Sequence, residues 1–451
     1  MRRFIPALLA ALWLSSCTPS GTDMPQVPED RPDNVDWEAA YSYVFDSSVI
    51  PEIHLKFTEE EWNKLLRAYD KDPDNKEFIR CDVLYIKGED RREIPAAGIR
   101  LRGNTSRRRP EGSNGKMHVG NNPDWHHAHF SLDLHYYEKN WLHTIEGVRQ
   151  VDLKWFKDDP SYTREIYCYD LFHRFGVWTA VHDVYARLWV RVGGSREAYY
   201  GVYGLLEHID KNYLRARKEL LSSAEGNLWK SSHGCGLRSS GEKFELKCGA
   251  DPGQARRQLD DFIHKLNSYS NDVFYNWIES VVDIELFLRT YAVNVAVGMW
   301  DDYWNNSNNY YLYFTPGGKL YFIPFDYDNT LGTSLQCGVQ SDAGRHDPLG
   351  WGEDRNPLVA KILSRPQWRS MYIGFLRELT TSSGLSTPAS ARERILSWQE
   401  RIAPLVANDT GEDMKIEDRP APWGNHGEYR LTTFGKDNFF QAKAESVVNS
   451  Q

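Results

Sequence analysis

From Asp301 to Asp328 the chain offers carboxylate and amide oxygens with no cysteine or histidine among them. Asp301, Asp302, Asn305, Asn306, Asn308 and Asn309 come first; Asp326 and Asp328 follow. Such a donor set suits a hard divalent cation, Mg²⁺ or Mn²⁺. Between the two groups lie YYLYF (310–314) and KLYFIPF (319–325), whose aromatic and β-branched content predicts two strands, joined by the turn Pro316-Gly317-Gly318. A hairpin returns both of its ends to one edge, so the two acidic loops are expected to converge. Asp and Asn also cap and turn chains for purely structural reasons, but two such loops flanking one apolar hairpin favour metal-dependent chemistry.

An Asp, then an Asn, a hairpin and a second Asp is also the order of parts in protein kinases. There the first Asp orients a hydroxyl, and the Asn and second Asp hold the metal that bridges the phosphates of ATP. The elements that must position this group precede it. IPEIHLKF, CDVLYIKG, AAGIRLRG and HFSLDLHY read as strands, and TEEEWNKLLRAYD as a helix opened by a Thr58/Glu61 capping box. Gly103-Asn104-Thr105-Ser106, followed by Arg107-Arg108-Arg109, is either a phosphate-binding turn or a solvated basic loop. Residues 151–177 pass from strand to loop to helix, with Arg164 and Glu165 in the first helical turn. Either residue could fix a phosphate-contacting partner; an exposed charge pair is the plainer account. Glu207 ends a strand that runs into a helix, at the position of a nucleotide-binding hinge, and Asp210 reads as an N-cap. Lys230, in GNLWKSS, lies within reach of the same cleft. The helix VDIELFLRTYAVNVAVGM, apolar almost all round, delivers the chain to Asp301.

At 451 residues with a formal net charge of −9, the chain can bury a large α+β core, and its charge argues against nucleic acid as a partner. MRRFIPALLAALWLSSC reads as a lipoprotein signal (1–17) with Cys17 as the lipidated residue. A polar tether (18–45), a β-rich portion (46–210), a mainly helical portion carrying the hairpin 301–332 (211–405) and an irregular tail (406–451) are expected to follow. No later run is apolar enough to span a bilayer. The expected location is a bacterial cell envelope, at the outer membrane, in the periplasm or at the cell surface, held there by lipid only. Cys235 and Cys248 flank a polar loop and are candidates for a disulfide; Cys81 and Cys168 read as buried thiols.

GIRLRGNTS, DPSYTRE with LFHRFGV, YYGVYGLLEHIDKNYL, GNLWK, WDDYWNNSNNYYLYF and KLYFIPFDYDNTLG, in this order, together resemble the CotH kinase family. The resemblance implies a two-lobed atypical protein-kinase-like fold, with a β-rich N-lobe, a mainly helical C-lobe and ATP with Mg²⁺ between them. It implies Asp301 or Asp302 as the catalytic acid, with Asn306 or Asn309 and Asp326 or Asp328 as metal ligands. Arg102, Asn104, Lys154, Arg164, Glu207 and Lys230 are the candidate nucleotide contacts. The acceptor would be a protein Ser/Thr or another envelope molecule. Where many relatives open a strand with lysines, this chain has His127-Ala128-His129-Phe130. Lys116, Lys154 or Arg102 must then serve instead, or the chain is a degenerate surface-binding lipoprotein. A phosphoesterase using the same acids is a third reading.

Overall fold

The computed structural model describes residues 35–120, 122–333, 342–352, 355–381, 383–421 and 429–450. Cys17, expected to carry lipid, lies outside them, as does Cys337. Seven strands form a closed barrel: β1 (Glu52–Phe57), β2 (Ile79–Lys87), β3 (Asp90–Leu101), β4 (Phe130–Asp133), β5 (Gln150–Lys154), β6 (Asp183–Val192) and β7 (Ala198–Glu207), in the order β1-β2-β3-β4-β5-β7-β6. Closure comes from β1 pairing in parallel with β6, from Glu52↔Arg187 to Phe57↔Val192. Every other barrel pairing is antiparallel.

Alternation along the strands sets what faces inward. Ile53, Leu55 and Phe57 of β1, Ile99 and Leu101 of β3, and Val151 and Leu153 of β5 are buried in one core. Their neighbours Arg100, Asp152 and Lys154 therefore belong to the outer face, and Arg102 continues that face beyond β3. Helix α1 (Trp37–Val44) falls within the stretch expected to be a tether. Helix α2 (Glu59–Lys71) begins at Thr58, whose Oγ accepts the Glu61 N–H at 3.1 Å, and packs Trp62, Leu65 and Leu66 on the barrel core. The Trp62 indole N–H donates to Glu111 at 2.7 Å. Helix α3 (Arg164–Arg174) follows β5, and α4 (Lys211–Ala216) and α5 (Lys218–Leu221) follow β7.

A second, four-stranded antiparallel sheet has the order β11-β10-β8-β9. It comprises β8 (Asn227–Ser231), β9 (Phe244–Cys248) and the hairpin β10 (Tyr310–Phe314) and β11 (Leu320–Pro324). Gly226 is required just before the central strand β8, because a Cβ there would lie 2.0 Å from the Phe314 carbonyl oxygen. The sheet shares a core with α6 (Pro252–Ser268), α7 (Asn271–Val281), α8 (Ile284–Ala296) and the short α9 (Tyr303–Asn306). Helices α10 (Pro357–Leu363), α11 (Pro366–Thr380), α12 (Pro388–Ile402) and α13 (Phe439–Asn449) add residues to it. The last, in the stretch expected to be irregular, buries Phe439 and Phe440.

The α+β composition holds, but the expected two-lobed kinase-like architecture does not. The first half closes into a barrel through a non-local parallel pairing, and the helical half carries its own sheet. Cys235 and Cys248 are free thiols, not a disulfide, and the Cys235 thiol instead donates to the Lys243 carbonyl at 3.1 Å. Trp62 is completely buried. Trp62→Ala is expected to cost about 3–5 kcal/mol, read as a lowered urea midpoint at unchanged slope.

Candidate active site

Lys154 ends β5, on the outer face of the barrel. Its ammonium lies 2.6 Å from Glu165 Oε2 in the first turn of α3, 2.7 Å from Asp326 Oδ1 just after β11, and 3.6 Å from Asp328 Oδ2. The end of β5, the start of the helix that follows it and a loop 172 residues further on thus meet on one cation. Glu165 is fixed further by the Tyr327 N–H, which donates to its Oε1 at 3.3 Å. The Asp326 N–H donates to the Tyr169 hydroxyl of α3 at 3.0 Å, and Asp326 holds a left-handed φ of 64°.

Register places the neighbours. Leu101↔Phe130 and Phe130↔Leu153 continue to Arg102, His129 and Lys154, one row across β3, β4 and β5. The next row carries Arg100, Ser131 and Asp152. His129 is buried and accepts the Trp155 N–H on Nδ1 at 3.1 Å. Burial, with Lys154 and Arg102 beside it, pushes its pKa well down, so the ring is neutral. Asp152 is bonded to His208 at 3.0 Å and lies 3.6 Å from Arg102. Opposite this face, Lys230 of β8 lies over the rings of Tyr311 and Phe325, 5.6 and 5.2 Å from their centroids. Burial and the Arg102 charge lower the Lys230 pKa to about 8, which Asp326 partly offsets.

Charge in this group is unbalanced. Burial disfavours the Lys154 ammonium, yet Asp326, Asp328 and Glu165 outweigh burial and hold it charged. Burial would also raise Asp326, but Lys154, Arg102 and Lys230 keep it ionised, below the ordinary carboxylate range. One lysine faces three acids, Glu165 buried and Asp326 and Asp328 partly exposed, and desolvation with repulsion among them pushes Glu165 and Asp328 up. That deficit of positive charge, among oxygen donors, fits an added divalent cation. Among the described residues no three His, Cys, Asp or Glu are grouped as a complete metal site. A divalent cation here would take only part of its oxygens from the chain and the rest from waters or ligand phosphate groups.

The loop before β10 separates its two aspartates. Asp302 is turned inward: its carboxylate accepts the Asn305 N–H at 2.8 Å, capping α9, and the Asn294 side-chain N–H at 2.6 Å. Asp301 accepts from the side chains of Asn306, Asn308 and Asn309 at 2.6, 3.2 and 3.0 Å. Burial, then Asp326 across the hairpin ends, raises its pKa against those hydrogen bonds. Asn306 and Asn309 thus spend their N–H groups on Asp301.

Three sequence candidates go elsewhere. Arg164 is fully buried, bonded to Asp159, Ser161 and the carbonyls of Thr330 and Arg419, so the helix presents Glu165 to the site and not Arg164. Glu207 is buried under Arg217, whose guanidinium donates to both its oxygens at 2.6 and 2.8 Å, and so is not open to a base. Asn104 is exposed in its turn. Arg107 bonds the carbonyls of Pro73 and Asn75, Arg108 pairs with Glu412 and Arg109 with Asp70, which leaves the basic run committed to the scaffold. Asp152 was missed; its signal is the alternation Asp-x-Lys along one face of β5.

The molecule is thus an α+β protein with a buried lysine–carboxylate centre between a β-barrel and a second sheet. The chain belongs to the CotH kinase family, whose profile, described as CotH kinase protein, matches residues 99–439. It is similar to spore coat protein homolog 1 of Rhizopus delemar, 21% identical over 289 residues, 59% of this chain and 46% of that protein. It is also similar to invasin CotH3 of the same organism, 24% identical over 213 residues, 44% of this chain and 34% of that one. The chain therefore spans less than half the length of either relative.

Burial raises Asp302 to about 7 against its two hydrogen bonds. A carboxyl raised on folding gives its full stabilisation below the unfolded value, about 4, and loses it as pH climbs through the folded value. Denaturation across that window should show stability falling with pH by on the order of 2–4 kcal/mol from this group. Asp302→Asn should flatten the fall.

Proposed function

We propose that the chain is a metal-dependent phosphotransferase that takes the γ-phosphoryl group of ATP to a hydroxyl acceptor. The observation that supports this most is Lys154 held between Glu165 and Asp326. A strand lysine fixed by a helix glutamate, beside the acid that follows a hairpin, is the arrangement protein kinases use. The site and not the fold supports this reading, since one chemistry recurs on unrelated architectures. Lys154 also supplies the lysine that the His127–His129 stretch lacks.

In this reading Lys154 binds the phosphates and Glu165 fixes its direction. Arg102 and Lys230 offset the remaining phosphate charge from either side of the groove. Asp326, with an amide oxygen of Asn309 or Asn306, would hold Mg²⁺, and Asp328 would join them once its proton is displaced. The ion supplies neutralisation of charge on the transferring group. Asp301 accepts the acceptor's proton; its raised pKa brings it nearer the range of a general base at neutral pH. Asp302 holds the loop. A protein Ser/Thr or another envelope molecule is the proposed acceptor. Among the described residues no helix is long and apolar enough to cross a membrane, and lipid at Cys17 is the proposed anchor. That one relative is named for a spore coat and another as an invasin supports a surface location.

Incubation with γ-labelled ATP and Mg²⁺, alone and with envelope extract, is expected to label protein. Asp326→Asn and Lys154→Met should each reduce the rate at least a hundredfold, roughly the loss seen when one charge-stabilising group is removed. Nucleotide with Mg²⁺ should raise the melting temperature of the parent. A melting shift without label transfer would leave a nucleotide-binding lipoprotein, and phosphate release without acceptor labelling a phosphoesterase.

A further inference from the structure

A cavity of about 1020 Å³ opens between α1, the α3–β6 connection and α4–α5, and shares no lining residue with the Lys154 group. Its walls include Trp37 and Tyr41 of α1, Trp178 and His182. Trp37 and Trp178 are both partly exposed, so each offers part of an aromatic face to whatever enters.

The floor is built rather than incidental. The His182 ring is stacked between Phe45 and His173, with centroids at 5.4 and 4.4 Å and planes within 17° and 18° of parallel. Its Nδ1 lies 2.9 Å from Glu207 Oε2. Glu207 is ionised, because Arg217 and His182 overcome the burial that would raise it and hold it at about 2. A carboxylate can only accept, so Nδ1 carries the proton. The His182 side chain is 35% exposed, and Nε2 is left for a ligand: an acceptor in the neutral ring, a donor in the cation. A hydroxyl group satisfies either state, because it both donates and accepts.

Charge around the opening narrows the ligand further. Asp36, Glu38, Glu219 and Glu225 stand with Arg215, Arg217 and Lys218. Arg217 is committed to Glu207, and Glu225 pairs with Lys211 at 2.6 Å. The remainder is nearly balanced, which disfavours polyphosphates and polycations alike. Ser42, Ser222 and Ser223 add hydroxyls to the lining. Aromatic faces for apolar C–H surface, together with scattered carboxylates and hydroxyls, match a neutral polyhydroxylated molecule. The volume is at the upper end of small-ligand sites, enough for several linked rings. We infer that this cavity is a binding site for a neutral oligosaccharide, separate from the phosphotransfer centre.

The test is titration of the full chain with cellotriose, chitotriose and maltotriose, followed by tryptophan fluorescence and calorimetry, with tripolyphosphate as the charged comparison. At least one trisaccharide is expected to bind saturably. Trp37→Ala should weaken that binding roughly tenfold, the scale of one lost aromatic contact. Ser42→Trp, a substitution at an exposed position that fills the opening, should abolish it with the melting temperature unchanged. Asp326→Asn should leave the affinity as it is, which separates this site from the proposed kinase centre. The inference is overturned if none of the three sugars binds at millimolar concentration, if tripolyphosphate binds there instead, or if Ser42→Trp binds sugar as the parent does.

Discussion

The protein is organised around one buried ammonium group. Lys154 meets Glu165 and Asp326 within 2.7 Å and Asp328 at 3.6 Å, and these acids come from the helix that follows β5 and from a loop distant in the chain. Buried charges are costly unless each is compensated. The β5 end, the start of α3 and the exit of β11 are therefore tied to one another by electrostatics as well as by packing. The compensation is incomplete, with more acid than base. That imbalance is what the proposed binding of a cation and a polyanionic ligand together rests on, since each would supply what the other needs.

The remaining structure explains why these groups stay in place. Closure of the barrel by β1 and β6 fixes the outer face of β3–β5, and cross-strand register then sets Arg102, His129 and Lys154 in a row. Glu165 is held because Arg164, the residue before it, is anchored inside by Asp159 and three further partners. On the opposite wall, the Asp302 cap and its bond to Asn294 keep the loop folded so that Asp301 faces the groove. Adjacent residues with similar chemistry thus divide between scaffold and site.

That division limits what the sequence reveals. The hairpin, the Thr58 N-cap of α2 and the Asp210 cap are local features, written in spacing and residue type, and all three are present; of the expected capping box only the Thr58 half forms. Composition also conveyed the α+β class. Barrel closure was not legible, because it depends on a parallel pairing between strands more than a hundred residues apart. Which of Arg164 and Glu165, or of Asp301 and Asp302, turns to the groove depends on helical and loop phase, and neighbouring positions cannot disclose it. Glu207 and Arg107–Arg109 share one difficulty: a charged residue at a strand end or loop looks available until its partner in the fold is known. Cys235 and Cys248 show the same limit, since a polar loop between two cysteines does not set their geometry.

The most direct measurement is a crystal structure of the chain with Mg²⁺ and a non-hydrolysable ATP analogue. The account predicts phosphate oxygens on the Lys154 ammonium and the ion on Asp326, with Glu165 still holding the lysine. A triphosphate bound elsewhere, with Lys154 still closed on its acids and no nucleotide atom in reach, would contradict it.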